Sequence, residues 1–351
     1  MLFLSLETSC DETAVAIFEA GTPEAGPNIL SSVVASQMPL HARFGGVVPE
    51  VAARSHLKQL LPVLNAALQE AGVSLQQISA VAVMNRPGLV GALLVGVSAA
   101  KALAWSLNIP LIAVSHIDAH LYACRLAARR NIYPCIGLVV SGGHTTLFRC
   151  DSALECRPLG GTIDDAAGEA FDKISALLGL GFPGGPNVER AARSGNSSAY
   201  NFPRSFLREE RLDFSFSGLK TAVRYCLRDL ETTGTTITAQ VRADIAASFQ
   251  RAVIDVLTAK CKQALQRQNL KTLAVGGGVT ANQSFRNSLI DMTTQAGYQL
   301  IIPPMEWCTD NAAMAALAVE SYYQGDFASL DLDAEPQWSA RKIANRRQNR
   351  D

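Results

Sequence analysis

The sequence predicts an α/β protein with two similarly built lobes. Three observations carry that expectation. Strands and helices alternate along most of the chain, two segments about 130 residues apart echo each other, and 351 residues suit two domains of ~150. The first echo, LFLSLETSCDETAVAIFE, is an apolar strand, a small polar turn carrying Thr8-Ser9, and a second apolar strand. The second, CIGLVVSGGHTTLFRC, repeats the pattern, with strands over 136–140 and 145–148 and a turn at Ser141-Gly142-Gly143-His144. Two such units predict two lobes facing a cleft.

The remaining elements follow from periodicity and punctuation. Strands are expected at 80–84, 110–114, 273–275 and 300–302. Helices are expected at 89–105, 116–128, 164–178, 243–266, 281–295 and 310–322. The stretch 155–217 is glycine-rich, with Pro183, Pro186 and Pro203, and reads as an insertion or lid with its own loops. The expected division is 1–130 for the first lobe and 131–330 for the second, whose final helix returns to the first. A basic tail occupies 331–351.

Composition narrows the function classes. Hydrophobic residues make up 48% and charged ones 18%, below the usual ~25%, which marks a core-rich globular chain. Lys+Arg and Asp+Glu are 31 each, so a nucleic-acid surface must be a local patch. The tail offers one, with Arg341, Lys342, Arg346, Arg347 and Arg350 among the last twelve residues. The longest apolar run, 88–100, holds three glycines and stops at Lys101, short of the ~18 residues of a membrane span. The first residues turn acidic at Glu7 without a basic stretch, so no targeting peptide is expected. The eight cysteines show no C-x-x-C spacing, which predicts reduced thiols and a cytoplasmic protein.

Three groups of residues could carry chemistry. In Ser115-His116-Ile117-Asp118-Ala119-His120, the histidines are i and i+4 on a helix that begins at a strand's carboxyl end. That spacing suits two nitrogen ligands to one metal ion, or two surface histidines at a turn. Ile117 stands where H-E-x-x-H proteases need their glutamate, which argues against peptide hydrolysis. Asp310 is the best third ligand, with helix N-cap as its alternative role. The second group is glycine turns: Val275-Gly276-Gly277-Gly278-Val279-Thr280-Ala281-Asn282, the 141–144 turn, and Phe182-Pro183-Gly184-Gly185-Pro186-Asn187 after a helix carrying Asp172. Glycines there let backbone approach a nucleotide, or simply make tight turns. The third group is charged. Glu7, Asp11 and Glu12 at the first hairpin tip could orient a metal or sit solvated, and Arg43, Glu50, Arg54 and His56 could form a helix-start ion-pair set.

Nine co-linear segments resemble one family: LETSCDETAVAI, FGGVVPEVAARSH, SHIDAHLYA, LVVSGGHT, DDAAGEAFDK, GFPGGPNVE, FSFSGLKTAV, VGGGVTAN and CTDNAAMAA. They run from about residue 3 to 325 in order and resemble the TsaD family of bacterial tRNA N6-adenosine threonylcarbamoyltransferases, formerly called O-sialoglycoprotein endopeptidases. The resemblance implies a two-lobed actin-like fold, shared with sugar kinases and Hsp70. It implies one divalent metal ion per chain, iron as Fe2+, on His116, His120 and Asp310. It places the nucleotide part of threonylcarbamoyl-AMP on Val139, Val140, Ser141, Gly142, Gly143, Asp172, Gly185 and Asn282. The implied reaction moves threonylcarbamoyl to N6 of the adenosine 3′ of the anticodon, position 37, in tRNAs reading codons that begin with A. No general base is assigned; Asp11 and Glu12 are the candidates. Implied partners are tRNA, a TsaB-like paralogue and a TsaE-like ATPase, with homodimerisation left open. An ATP-dependent kinase or ATPase on this fold, or a non-catalytic scaffold paralogue, are the alternatives. The chain departs from the family at Met84-Asn85-Arg86, where a threonine and a glycine usually precede the proline.

Overall fold

The computed structural model describes residues 1–22 and 24–337. The five cations of the basic tail lie outside the described residues. Two compact units emerge. One comprises Met1–Tyr133, Cys150–Arg157 and Pro303 onward, and the other Pro134–Arg149 and Pro158–Ile302.

The first unit is built on strands β1 (Leu2–Glu7), β2 (Glu12–Thr22), β3 (Gly26–Ser36), β4 (Ile78–Arg86) and β5 (Leu111–Ser115), ordered β3-β2-β1-β4-β5. The hairpin β1–β2 is antiparallel, as expected, while β4 and β5 add in parallel. Parallel addition needs crossover helices. After the short α1 (Met38–Ala42) these are α2 (Pro49–Ala71), which carries Pro at its first position, and α3 (Val90–Leu107). The α3 helix is long and apolar enough to cross a membrane by length and composition, so the run is longer than the sequence reading allowed. Leu93, Val97, Ala100 and Ala104 are nonetheless buried, two of the core apolar positions being alanines that let the helix lie close.

The strand β5 leads straight into α4 (His116–Ala128). In the other unit, β6 (Cys135–Val140), β7 (Thr145–Cys150) and β8 (Cys156–Gly161) precede α5 (Ala167–Leu177), α6 (Gly184–Ala192), α7 (Ser217–Thr232) and α8 (Ala239–Gln268). Then come β9 (Thr272–Gly276), α9 (Gln283–Ala296) and β10 (Gln299–Ile301). The second sheet runs β10-β9-β6-β7-β8. Counted from its own first strand, that is the 3-2-1-4-5 order of the first sheet, so the echo in sequence is a duplication of topology.

Several segments differ from expectation. Besides α5, which the 164–178 expectation covers, the stretch 155–217 supplies β8 and α6, and it buries Phe171, Phe202, Phe214 and Phe216 in the core beneath α8. Its glycines and prolines mark tight joints between short elements, which masked them. The 310–322 helix is shorter and split, a 3-10 segment at Ala313–Leu317 followed by α10 (Ala318–Tyr323). Cys150 and Cys156 form a disulfide across the β7–β8 turn, which overturns the expectation of reduced thiols throughout. Strand pairing sets their Cα atoms 4.0 Å apart, a proximity that a spacing of six conceals in sequence.

The family departure at 84–86 has a local explanation. Residues 333–336 run beside it: Glu335 N donates to Asn85 O (2.8 Å), Asn85 Nδ2 to Asp333 O (3.1 Å) and Gly88 N to Pro336 O (3.2 Å). Arg86 faces Glu335 at 3.9 Å.

Candidate metal centre and glycine turns

The β5–α4 junction positions the histidines. Ser115 Oγ accepts from Asp118 N (3.3 Å), capping α4 and fixing His116 as its first residue. One turn later His120 projects from the same face, and the two rings lie 4.6 Å apart at 80°. Both are buried. Asp310 Oδ1 comes within 3.5 Å of His116 Nε2 and 3.2 Å of His120 Nε2. The capping duty considered for Asp310 falls to its neighbour instead: Asn311 Oδ1 accepts from Met314 N at 3.1 Å.

The three side chains offer ligand atoms all within 4.8 Å of one another, a group that could hold a metal ion. Metal–nitrogen bonds of ~2.0–2.1 Å place neighbouring ligand atoms some 3–4 Å apart, the range in which Asp310 Oδ1 stands from both histidine Nε2 atoms. The sharper observation is His120. Its buried Nδ1 makes no hydrogen bond, and its Nε2 meets only the Asp310 carboxylate at 3.2 Å, leaving the ring a polar deficit that a coordinate bond would remove. Burial lowers its pKa, keeping the imidazole in the neutral form a metal requires. Burial works the same way on His116, but the Asp310 and Glu7 carboxylates outweigh it and raise that ring to about 9.

Glu7, at the end of β1, is fully buried and not a solvated turn carboxylate. Its Oε2 lies 3.1 Å from His116 Nδ1, and its Oε1 accepts the Ser9 amide. Ser9 Oγ adds a second contact to Nδ1 at 3.1 Å. With Nδ1 engaged, His116 turns its Nε2 toward Asp310. The sequence pointed to Glu7 but not to Ser9, whose partner is 107 residues away. Burial and the neighbouring Asp310 and Asp11 charges push the Glu12 carboxyl well above the usual carboxylate range. Burial and the Asp11 and Asp310 carboxylates likewise raise the Cys10 thiol.

The 43–56 set separates. Arg54 and Glu50 pair at 3.6 Å on the surface. His56 is buried away from them: Nε2 donates to Cys10 O (3.0 Å), and Nδ1 accepts from Thr13 Oγ1 (2.8 Å), tying α2 to the hairpin.

In the second unit the expected nucleotide contacts form a linked set. The 141–144 turn closes with Ser141 N donating to His144 O (2.8 Å), and Gly168 N, at the start of α5, donates to Ser141 O (3.1 Å). Gly277 sits at φ +96°, where a Cβ would meet Val140 O at 2.5 Å, so glycine is required there. Asp172 Oδ1 accepts from Gly184 N (2.7 Å) at the start of α6, and Glu189 of α6 accepts from Gln283 N (2.9 Å). Contact by contact, Val139–Gly143, Asp172, Gly185 and Asn282 belong to one neighbourhood. Around Gly142, Gly143 and Gly185 a Cβ would meet only open space. Asn282 has structural work: Oδ1 caps α9 through Phe285 N (3.0 Å), and Nδ2 donates to Gln250 Oε1 (2.7 Å).

Two mixed sheets of one topology, a His-His-Asp group that could hold a metal ion and a set of glycine-lined turns define an α/β protein of actin-like fold. Among solved structures, full-length HypF in its phosphate- and nucleotide-bound form matches 93% of this chain, and 56% of its own, with TM-score 0.62 at 13% identity. That likeness supports the fold. A tRNA N6-adenosine threonylcarbamoyltransferase of Rhodopirellula baltica is 50% identical over 95% of this chain and 96% of its own. One from Thermosipho melanesiensis is 47% identical over 96% and 99%. The profile of TsaD, tRNA N6-adenosine threonylcarbamoyltransferase, matches residues 28–317. The chain belongs to that family.

Proposed function

We propose that this protein transfers the threonylcarbamoyl group from threonylcarbamoyl-AMP to N6 of adenosine 37 in tRNAs reading codons that begin with A. Family membership supplies the reaction, and the observation that carries it to these residues is the convergence of His116, His120 and Asp310 into one group, with the buried His120 Nδ1 making no hydrogen bond. Those three side chains would hold one divalent ion, Fe2+ in this reading, which supplies Lewis-acid polarisation of the carbamoyl carbonyl. Glu7 and Ser9 orient His116. The glycine turns at 141–143, 185 and 277 let backbone approach the AMP part closely, and Asp172 and Asn282 shape those turns through the helix starts they cap. The attacking N6 must lose a proton. Asp11 and Glu12 at the first hairpin tip are the two candidates to accept it.

The reading places the protein in the cytoplasm, where its tRNA substrate is, with a TsaB-like paralogue and a TsaE-like ATPase as partners. Leu57 and Leu61 on α2 and Val90 and Leu94 on α3 are exposed apolar side chains on the first unit, and they support a protein partner there. The test is transfer of labelled threonylcarbamoyl to unmodified tRNA, with and without those partners. His116→Ala, His120→Ala and Asp310→Ala are each expected to lose metal and transfer together while remaining folded. Full metal content and activity in Asp310→Ala would remove that residue from the ligand set.

A further inference from the structure

The α7 sequence SGLKTAVRYCLRDLET divides into two faces. Leu219 and Val223 are buried, with Leu227 and Leu230 partly buried behind them. Lys220, Arg224 and Arg228 recur at i, i+4 and i+8 on the opposite side and are exposed. Beside them the Tyr225 ring is 52% exposed, with the Arg228 guanidinium 4.8 Å from its centroid. Thr221, Arg224, Tyr225, Arg228 and Glu231 are exposed together on this face of the helix. The start of the helix is fixed: Asp164 accepts from Ser215 Oγ (2.6 Å), Phe216 N (2.8 Å), and Ser217 N and Oγ (3.2 and 2.8 Å).

We propose that this face of α7 is a docking surface for the tRNA backbone, with Lys220, Arg224 and Arg228 on successive phosphates and Tyr225 stacking on an unpaired base. The proposal rests on the tRNA-modifying reading above and adds where the RNA is held. A single small anion calls for donors that converge, as in a guanidinium fork. Here the cations are strung out every four residues, ~6 Å apart along the axis and over roughly 12 Å, which matches an extended polyanion. An exposed aromatic beside such a line is the arrangement that binds unpaired bases. The opposing charges are weak competitors: the Arg228–Asp229 pair, at 3.4 Å, is about two-thirds exposed on both sides, and water screens it. In a chain of zero net charge, attraction for RNA has to come from such local lines.

The experiment measures binding of unmodified tRNA to the full-length chain across a salt series. The triple variant Lys220→Ala, Arg224→Ala, Arg228→Ala is expected to bind at least tenfold more weakly and to flatten the log–log salt slope by about 2–3, some 0.7–0.9 per phosphate contact. Its melting temperature should hold, because all three side chains are exposed. Tyr225→Ala should weaken binding several-fold while Tyr225→Phe keeps it. An unchanged slope and affinity in the triple variant, with a wild type that still modifies tRNA, refutes the α7 surface alone. A wild type that neither binds nor modifies tRNA refutes the functional reading and the surface with it.

Discussion

His116 is held at one nitrogen so that the other is presented. Its Nδ1 meets Glu7 and Ser9, and a buried carboxylate behind a ligating imidazole both fixes the ring and raises its basicity. Glu7→Gln keeps the side chain's shape and removes its charge. Metal affinity, read by competition with a chelator, is expected to fall about 10- to 100-fold in that variant, with stoichiometry unchanged at saturation. Equal affinity in both proteins would reduce Glu7 to a buried anchor for the Ser9 amide. The histidine pair was legible in sequence, because an i, i+4 pair on a helix is a local pattern. Glu7's part was not, since it depends on β1 ending beside α4, whose first residue is 109 positions away. The division of labour at 310–311 was equally hidden: an aspartate and an asparagine are both good caps, and only their directions distinguish them.

Elements here are held by their ends. The β1–β2 turn lies against α3, where Thr8 Oγ1 donates to Ala92 O (2.9 Å) and a Cβ on Gly96 would come within 2.4 Å of that hydroxyl. Leu89 N donates to Ser9 O (2.8 Å), and Gly88 leaves no room for a Cβ beside the same carbonyl. Gly88 and Gly96 therefore make the seat for the turn that follows Glu7 and carries Thr8 and Ser9. In the second unit Asp164 does comparable work for α7, and its four hydrogen bonds outweigh the larger opposing effect of burial to hold its pKa below the usual 3.8. A lowered carboxyl pKa contributes stability above the unfolded-state value and loses it as pH falls through the folded one. Asp164→Asn should therefore melt below wild type at neutral pH, with the gap closing as pH falls below 3.8. A gap that stays constant down to pH 2 would show that the charge contributes nothing. Elements with a clear apolar period, such as α4 and α8, were legible. The β3 strand and the helices α2, α6 and α7 were not assigned from sequence. Their apolar positions are sparse or interrupted, by Pro62 within α2 and by glycine at the start of α6 and α7.

At the scale of the molecule, the duplicated 3-2-1-4-5 sheet was visible only as two short echoes, because just the hairpins kept a similar sequence pattern. The two copies have since specialised. Glu7, Ser9, His116, His120 and Asp310 all fall in the unit that includes both chain segments 1–133 and 303 onward. The glycine turns all fall in the other. Bound metal should therefore stabilise one unit directly. A ligand that binds only the folded state adds RT ln(1 + [L]/Kd), about 2.7 kcal/mol at a hundredfold excess over Kd. Differential scanning calorimetry with Fe2+ under anaerobic conditions, against chelator, should move the transition of the first unit upward. AMP should act on the second, since its proposed contacts are confined there. The His116→Ala, His120→Ala double variant separates this from general salt effects: it should lose the metal-induced shift and retain the response to AMP. If the double variant shifts with metal as far as the wild type, the ion binds elsewhere, and the buried group on α4 holds its two histidines for some other reason.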